Sequence, residues 1–498
     1  MYLIEPVQKR YAWGSHTKLQ DIFGLEQGSP LAEMWFSGHV ESPSNLVISG
    51  IADNADSSDK AEKNPVNKNL AGMISENPTK MLGSAVSAAF GPVLPYLFKV
   101  ISARMPLSLQ VHPLDFEARA GFNRENREGI ALNAPERTFK DSLAKHEMVV
   151  ALEPFEACVG FMSRPLQLQA LRAIDNITAQ RMRAALSGAG SLSRAGGMFN
   201  DDMRDEDMPE SSAVWTRTQK RIFRAFRIAV TACGNSDDMN DIRSLPAALE
   251  RALNKSLQRR VREALESVLT AAKAFPDDPS VLCLAMMNHV TLEEGESVFI
   301  PAGTPHAYLS GTAAEIMTNS DNVLRGGMTV KHKDIPNLLR NINCRPEAPI
   351  DPSSGFLSAI IHPNFITYRP NLREYMLAYG FVRKKYDFSA EDLFFPQSRS
   401  VLKKMSSSRD FERILSASSK QKIPVAAGPR ILLCVSGSIC CQSSGGRYGK
   451  YGNAAQTEVI GQGQALFILA DEEVYISAAN NAVKNASGGS YLLAGTAL

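Results

Sequence analysis

A chain of 498 residues has room for about three domains of ordinary size and for large cores that need no covalent staples. Its 54 basic and 52 acidic residues leave a net charge of only +2. That excludes the polyanion footprint of a nucleic-acid binder and makes any phosphate recognition a matter of a few placed cations.

The opening residues, Met1 to His16, lack the charged start and long apolar stretch of a signal peptide. No run of about 18 apolar residues occurs, so no membrane span is expected. The seven cysteines (Cys158, Cys233, Cys283, Cys344, Cys434, Cys440 and Cys441) are odd in number and contain no CxxC pair. They read as small buried hydrophobes in a reducing cytoplasm rather than as a disulfide framework.

From residue 1 to about 160, short apolar runs alternate with turn signals, which predicts strands. Residues 51–70, rich in Asn, Asp, Ser and Lys, interrupt them as a flexible surface insertion. From 161 to 284 the period changes. Leu168, Leu171 and Ile174 suggest one helix, and Leu249, Leu253, Leu257, Val261 and Leu265 predict an amphipathic helix. The basic stretch Arg217–Arg227, with Ile222, Phe223 and Phe226 inside it, reads as a solvated helix face, and Asp201–Glu210 as an acidic loop. Strand-like patterning returns near residue 289. It runs to the end in segments such as Ile431–Gly437 and Gln464–Leu469, separated by Gly-rich stretches such as Ser443–Gly452.

A weak internal repeat links the two β regions. Gly295-Glu-Ser-Val-Phe-Ile-Pro-Ala resembles Gly463-Gln-Ala-Leu-Phe-Ile-Leu-Ala, each a turn feeding a strand. His306 follows Gly295 at the offset where Val474 follows Gly463. The later copy is expected to keep the packing and lack the ligand.

Three clusters carry chemistry. In Leu107-Ser-Leu-Gln-Val-His, the two-residue period puts Ser108, Gln110 and His112 on one face, either solvent or the lining of a polar cavity. Pro113 ends that strand. In Gly295–Tyr308, Gly295 permits a tight turn, and Pro301 and Gly303 set a second that aims His306 inward, with Tyr308 on the same side. The spacing matches the second cupin motif, which makes His306 a metal-ligand candidate. In the third cluster Arg325 precedes Gly326 and Gly327. Its planar, permanent charge suits a phosphate or an enediolate oxygen, and the glycines permit close backbone approach. Glu315, Asp321 and Lys331 are further candidates there.

Together these stretches resemble the type I mannose-6-phosphate isomerase family of the zinc-dependent cupins. The resemblance rests on Tyr11-Ala-Trp-Gly, Ala32-Glu-Met-Trp, Leu107–Pro113, Phe139-Lys-Asp through Lys145-His-Glu-Met, Ile300–Gly311 and Ser320–Thr329. It implies a mainly β chain with an inserted helical module and two jelly-roll barrels. The catalytic cupin would span 1–160 and 285–345, the helical domain 161–284, and a degenerate C-terminal jelly roll 346–498. It also implies one Zn²⁺ per chain on Gln110, His112, Glu147 and His306, with Arg325 as the active-site arginine. His146 stands where the family usually has proline, and it competes as a possible ligand.

The implied reaction interconverts mannose 6-phosphate and fructose 6-phosphate through an enediol(ate). It needs a Lewis acid, a base and fixed positive charge. Arg325 suits the last. Glu315, Asp321 and Lys145 stand as candidates for the base. Ser108, Lys145 and Lys331 are candidates for hydroxyl or phosphate contacts, with Tyr308 and Trp13 as pocket walls. The expected partner is a small sugar phosphate, in a cytoplasmic monomer or weak homo-oligomer without nucleic acid or membrane. Two other readings stay open: a non-catalytic sugar-phosphate-binding cupin, and an Fe(II)-dependent oxygenase using His112, His306 and Glu147.

Overall fold

The computed structural model describes residues 1–47, 69–188, 191–192, 198–199, 208–232, 236–354, 364–383, 421–424, 428–444, 456–479 and 488–498. Nearly all of the 51–70 insertion, most of the acidic loop at 201–210 and most of the Gly-rich stretch at 443–452 lie outside the described residues.

The chain is mainly β with inserted helices, as its patterning predicts. The first ten-stranded sheet is antiparallel and hangs on one long strand, His306–Thr318. Its apolar residues are buried along most of its length, so it can take partners on both edges. At its start it pairs with Leu109–Val111 and Phe155–Phe161, and further along with Tyr96–Ala103 and Glu147–Ala151. This switching of partners gathers residues from four distant parts of the sequence around one strand. Leu324–Gly327 then pairs with Leu109–Val111.

A second ten-stranded sheet is built from the C-terminal strands around Arg430–Ser443. Tyr2–Glu5 joins it by pairing with Ala465–Ile468. An apolar layer that includes Phe98, Met148, Val150 and Ile316 from the first sheet and Leu377, Ile431, Phe467 and Leu492 from the second fills the space between them. The strand paths are open. Among the described residues no ring of backbone pairings closes either sheet, so the two expected barrels are open sheets here.

The internal repeat is visible in the backbone. Gly295 and Gly463 have φ values of 82° and 80°, the left-handed region that favours glycine. The strands Ser297–Ile300 and Ala465–Ile468 follow at the same offset, and then His306–Thr318 and Val474–Ala478 begin at the same offset. Val474 is buried in an apolar cluster where the first copy carries His306.

The helical module packs on the first sheet through a core that joins Leu171, Phe226 and Leu265 to Leu109, Val111 and Leu324. Arg217–Thr231 buries Ile222, Phe223 and Phe226 and begins with a Thr216–Gln219 capping box. The periodic stretch Leu249–Leu265 is two helices, Leu245–Leu253 and Arg259–Ala274, and not one. Asn254 and Ser256 compete for backbone hydrogen bonds at the break. The Arg262 guanidinium then takes the freed carbonyls of Leu253 and Lys255 at 3.0 and 3.2 Å, closing the first helix. Six cysteines are free among the described residues, and no described helix is long and apolar enough to cross a membrane.

Candidate active site

His112 follows the strand Leu109–Val111, Glu147 begins its own strand, and His306 begins the long central strand. The turn before His306 is fixed locally. Gly303 has φ 85° and donates its N–H to the His112 carbonyl at 2.9 Å, which ties the two histidine segments together. The imidazole rings lie 4.9 Å apart, and both are almost wholly buried.

Each ring contacts a backbone carbonyl through Nδ1, His112 with Asn322 at 2.8 Å and His306 with Thr304 at 2.9 Å. A carbonyl only accepts, so each Nδ1 carries the proton and each Nε2 presents a lone pair. The two Nε2 atoms converge on the Glu147 carboxylate, at 3.0 Å from Oε1 and 3.2 Å from Oε2. Among the described residues neither Nε2 has a hydrogen-bond partner. Buried lone pairs facing carboxylate oxygens repel unless a cation sits among them. His112, Glu147 and His306 therefore fit a metal ion on the chemistry of their donor atoms, which lie within 4.8 Å of one another. Burial pulls the His112 imidazolium down to about 4, against the attraction of Glu147, so the ring is neutral and able to ligate. Burial would raise Glu147, but positive charge beside it, from His112 whenever that ring is protonated and from Lys145 throughout, outweighs burial and holds the carboxyl well below its usual range. Gln110 lies opposite both His306 and Arg325 in the strand register, which sets it beside this cluster.

Of this cluster Glu147, with Gln110 beside it, lines a cavity of about 620 Å³, and the two imidazoles lie behind the Glu147 carboxylate. Gln110, Glu147, Tyr308, Glu315, Lys145, Asp321, Arg325, Lys331, Ser108 and Trp13 all line it. Every site residue read from the sequence is thus brought to one place. Lys145 Nζ pairs with Glu147 Oε1 at 2.9 Å. The Tyr308 hydroxyl donates to Glu315 Oε1 at 2.6 Å and approaches Glu147 Oε2 at 3.3 Å. Trp13 stacks on Tyr11 with centroids 5.7 Å apart, and Lys331 Nζ lies 4.8 Å over the Tyr11 ring. His146 turns away from the cluster. Its Nδ1 accepts the Ala302 N–H at 3.1 Å and its ring stacks on Phe299, so it serves the turn where the family has proline and does not act as a ligand.

Several participants are not evident from the sequence. Lys99 Nζ binds Glu315 Oε2 at 2.6 Å and approaches Glu33 Oε1 at 3.5 Å. Burial opposes its charge, but Glu315 and Glu33 raise it above its ordinary value. The available signal was one charged residue, a lysine, within the fully buried and mostly apolar run Tyr96–Ala103. Asp278, from the helical module, accepts the Met328 N–H at 2.7 Å and the Ser280 N–H at 3.0 Å. Met328 is held at φ 53°, an uncommon conformation for a side chain of its size. This clamp anchors the loop that carries Lys331.

Gly327 tests the clamp. A Cβ there would lie 1.7 Å from Ser280 Oγ. Gly327→Ala should cost about 1–3 kcal/mol in urea unfolding by overpacking, with Arg325 displaced alongside. An unchanged unfolding midpoint would show that the 3₁₀ turn at Pro279–Met286 yields freely.

Residues 1–164 match the family model described as the catalytic domain of type I phosphomannose isomerase. The mannose-6-phosphate isomerase of Salmonella typhimurium is 34% identical over 347 residues, which cover 69% of this chain and 75% of that protein. The chain belongs to the type I phosphomannose isomerase family. Mannose-6-phosphate isomerase 1 of Arabidopsis thaliana, another relative, is 27% identical over 483 residues, 95% of this chain and 90% of its own length. A solved zinc-bound mannose 6-phosphate isomerase superposes with a TM-score of 0.68 at 26% identity, covering 100% of this chain and 99% of that one. A lysine-to-alanine variant of phosphomannose isomerase from Salmonella typhimurium gives 0.70 at 25% identity, with both chains fully covered. Family members thus share this whole fold, including the helical module and the C-terminal sheet.

Proposed function

We propose that this chain is a zinc-dependent isomerase that interconverts mannose 6-phosphate and fructose 6-phosphate, with Gln110, His112, Glu147 and His306 holding one Zn²⁺. The observation that carries this reading is the pair of imidazole Nε2 atoms without hydrogen-bond partners among the described residues, set on Glu147, which lines a cavity that also takes Lys145, Arg325 and Lys331. When bound, the ion supplies Lewis-acid polarisation of the sugar carbonyl and makes the neighbouring C–H acidic.

The chain's own residues supply the rest. Isomerisation removes the proton from C2, returns one to C1, and exchanges hydroxyl and carbonyl between the two carbons. Of the candidate bases, Glu315 is anchored by Lys99 and Tyr308, and Lys145 by Glu147. Asp321 keeps a side chain 30% open and, among the ion pairs of the described residues, faces only His39 Nε2 at 3.4 Å. His39 Nδ1 accepts the Glu41 N–H, so its proton sits on Nε2 and points at Asp321. We assign proton movement to Asp321 on this basis. Arg325 supplies fixed charge beside Gln110, where the enediolate would form. Lys331, at the mouth, meets the phosphate, while Ser108, Trp13 and Tyr308 shape the wall.

Asp321→Asn should lower kcat by about 10²–10⁴, the usual worth of a general base, and leave zinc content unchanged. If Glu315→Gln has that effect and Asp321→Asn does not, the base is Glu315.

We read the chain as three units: 1–160 with 285–345, 161–284, and 346–498, with Tyr2–Glu5 lent to the last. We take the chain to act as a cytoplasmic monomer or weak homo-oligomer. The activity is tested by running mannose 6-phosphate with the protein in D₂O. Fructose 6-phosphate carrying deuterium at C1 supports the reading. Oxygen uptake, or tight binding without turnover, would redirect it to the oxygenase or the sugar-phosphate sensor.

A further inference from the structure

The segments Phe139-Lys-Asp and Ser320-Asp-Asn contribute only Lys140 and Asp321 to the cavity, and neither holds a ligand. The structure knits them together. The Asp141 carboxylate accepts the Leu143 N–H at 2.9 Å and the Asp321 N–H at 2.9 Å. It also takes the Ser320 hydroxyl, at 2.9 and 3.0 Å from its two oxygens. Asn322 is fully buried, and its side chain returns the contacts. Its Oδ1 accepts the Lys140 N–H at 2.7 Å and lies 3.3 Å from the Asp141 N–H. Its Nδ2 donates to the Asp141 carbonyl at 2.9 Å, to the Asp141 carboxylate at 3.1 Å and to the Leu143 carbonyl at 3.0 Å.

The amide has one orientation here. Its oxygen meets two N–H donors and its nitrogen meets three acceptors, so a flip would break both sides at once. The two loops are about 180 residues apart in sequence, and the knot is their mutual register. Its output is the Asn322 carbonyl, which takes the His112 Nδ1–H at 2.8 Å. That bond decides which imidazole nitrogen is left to ligate. The Asp321 backbone is fixed by the same carboxylate, which sets where its side chain enters the cavity.

We propose that Asp141 and Asn322 are positioning residues: their reciprocal hydrogen bonds set the tautomer and aim of His112 and the direction of Asp321, without touching metal or substrate. This rests on the metal-site reading above.

The test uses the full chain, with Asp141→Asn, Asn322→Ala and the milder Ser320→Ala. Zinc dissociation constants are measured by competition with a chromogenic chelator. The His112 tautomer is read in zinc-free protein from its imidazole ¹⁵N shifts. Zinc binding should weaken about 10–100-fold in the first two variants, as for other groups that orient a metal-bound imidazole. Ser320→Ala should weaken it less and in the same direction. The Nδ1–H tautomer should dominate in the parent and be lost in Asn322→Ala. At saturating zinc, Asp141→Asn should lower kcat with little change in KM. Should Asp141→Asn or Asn322→Ala fail to fold, the Ser320→Ala affinity decides. Affinity and tautomer both unchanged in folded variants would overturn the positioning role alone. A parent chain that binds no zinc would overturn the metal site itself, and the proposal with it.

Discussion

Glu147→Ala should strip the protein of zinc and of turnover together. Glu147 supplies the only negative charge of the ligand set, and both ligand imidazoles aim their free nitrogens at it. Without it the site keeps neutral donors, and Lys145 loses its buried counter-charge. A buried ammonium left unpaired repels an incoming cation as well as destabilising the fold. Lewis-acid polarisation is worth several kcal/mol in reactions of this kind, so activity should fall by more than about 10³-fold. Metal analysis and the isomerase assay on the same sample check it. Glu147→Gln, which keeps the shape, should behave nearly as badly, because a neutral amide cannot balance the ion. A Glu147→Ala protein that retains a full equivalent of zinc would mean that the ligands lie elsewhere.

Arg325→Ala should lower kcat/KM by about 10²–10³, the cost of removing one preorganised charge from a developing oxyanion. Burial holds the guanidinium below its ordinary value, and the nearby Lys331 is lowered by burial and by Arg325 itself. A half-buried guanidinium and an exposed ammonium that repel each other describe a site waiting for an anion. Lysine at 325 should restore only part of the loss, since an ammonium lacks the planar fork. Loss confined to KM would move Arg325 to the phosphate. A kcat/KM within tenfold of the parent would remove it from the reaction.

How much of this was legible beforehand depended on whether the signal is local. His306 was readable because a short turn aims it: Gly295, Pro301 and Gly303 sit at offsets that fix the backbone whatever surrounds them. Ser108, Gln110 and His112 were placed by strand alternation. The repeat of Gly295 at Gly463 foretold matching strands, which both begin at the expected offset.

What escaped was non-local. Lys99 is a lone charge in a buried strand, and its partners Glu33 and Glu315 come from neighbouring strands that no local pattern links to it. Tyr2–Glu5 pairs with a strand more than 400 residues away, which no local pattern encodes. The single helix expected over Leu249–Leu265 failed because apolar spacing persists across the break at Asn254, where capping decides the ending. The role of Asn322 was hidden because its carbonyl, not its side chain, meets His112.

If His112, Glu147 and His306, with Gln110, hold a zinc ion on which sugar-phosphate isomerisation depends, turnover follows the metal. The most direct test is turnover of mannose 6-phosphate to fructose 6-phosphate before chelation, after removal of metal, and after adding back one equivalent of Zn²⁺. The expected result is activity, then loss, then recovery at one ion per chain. Undiminished turnover in verified metal-free protein would contradict it.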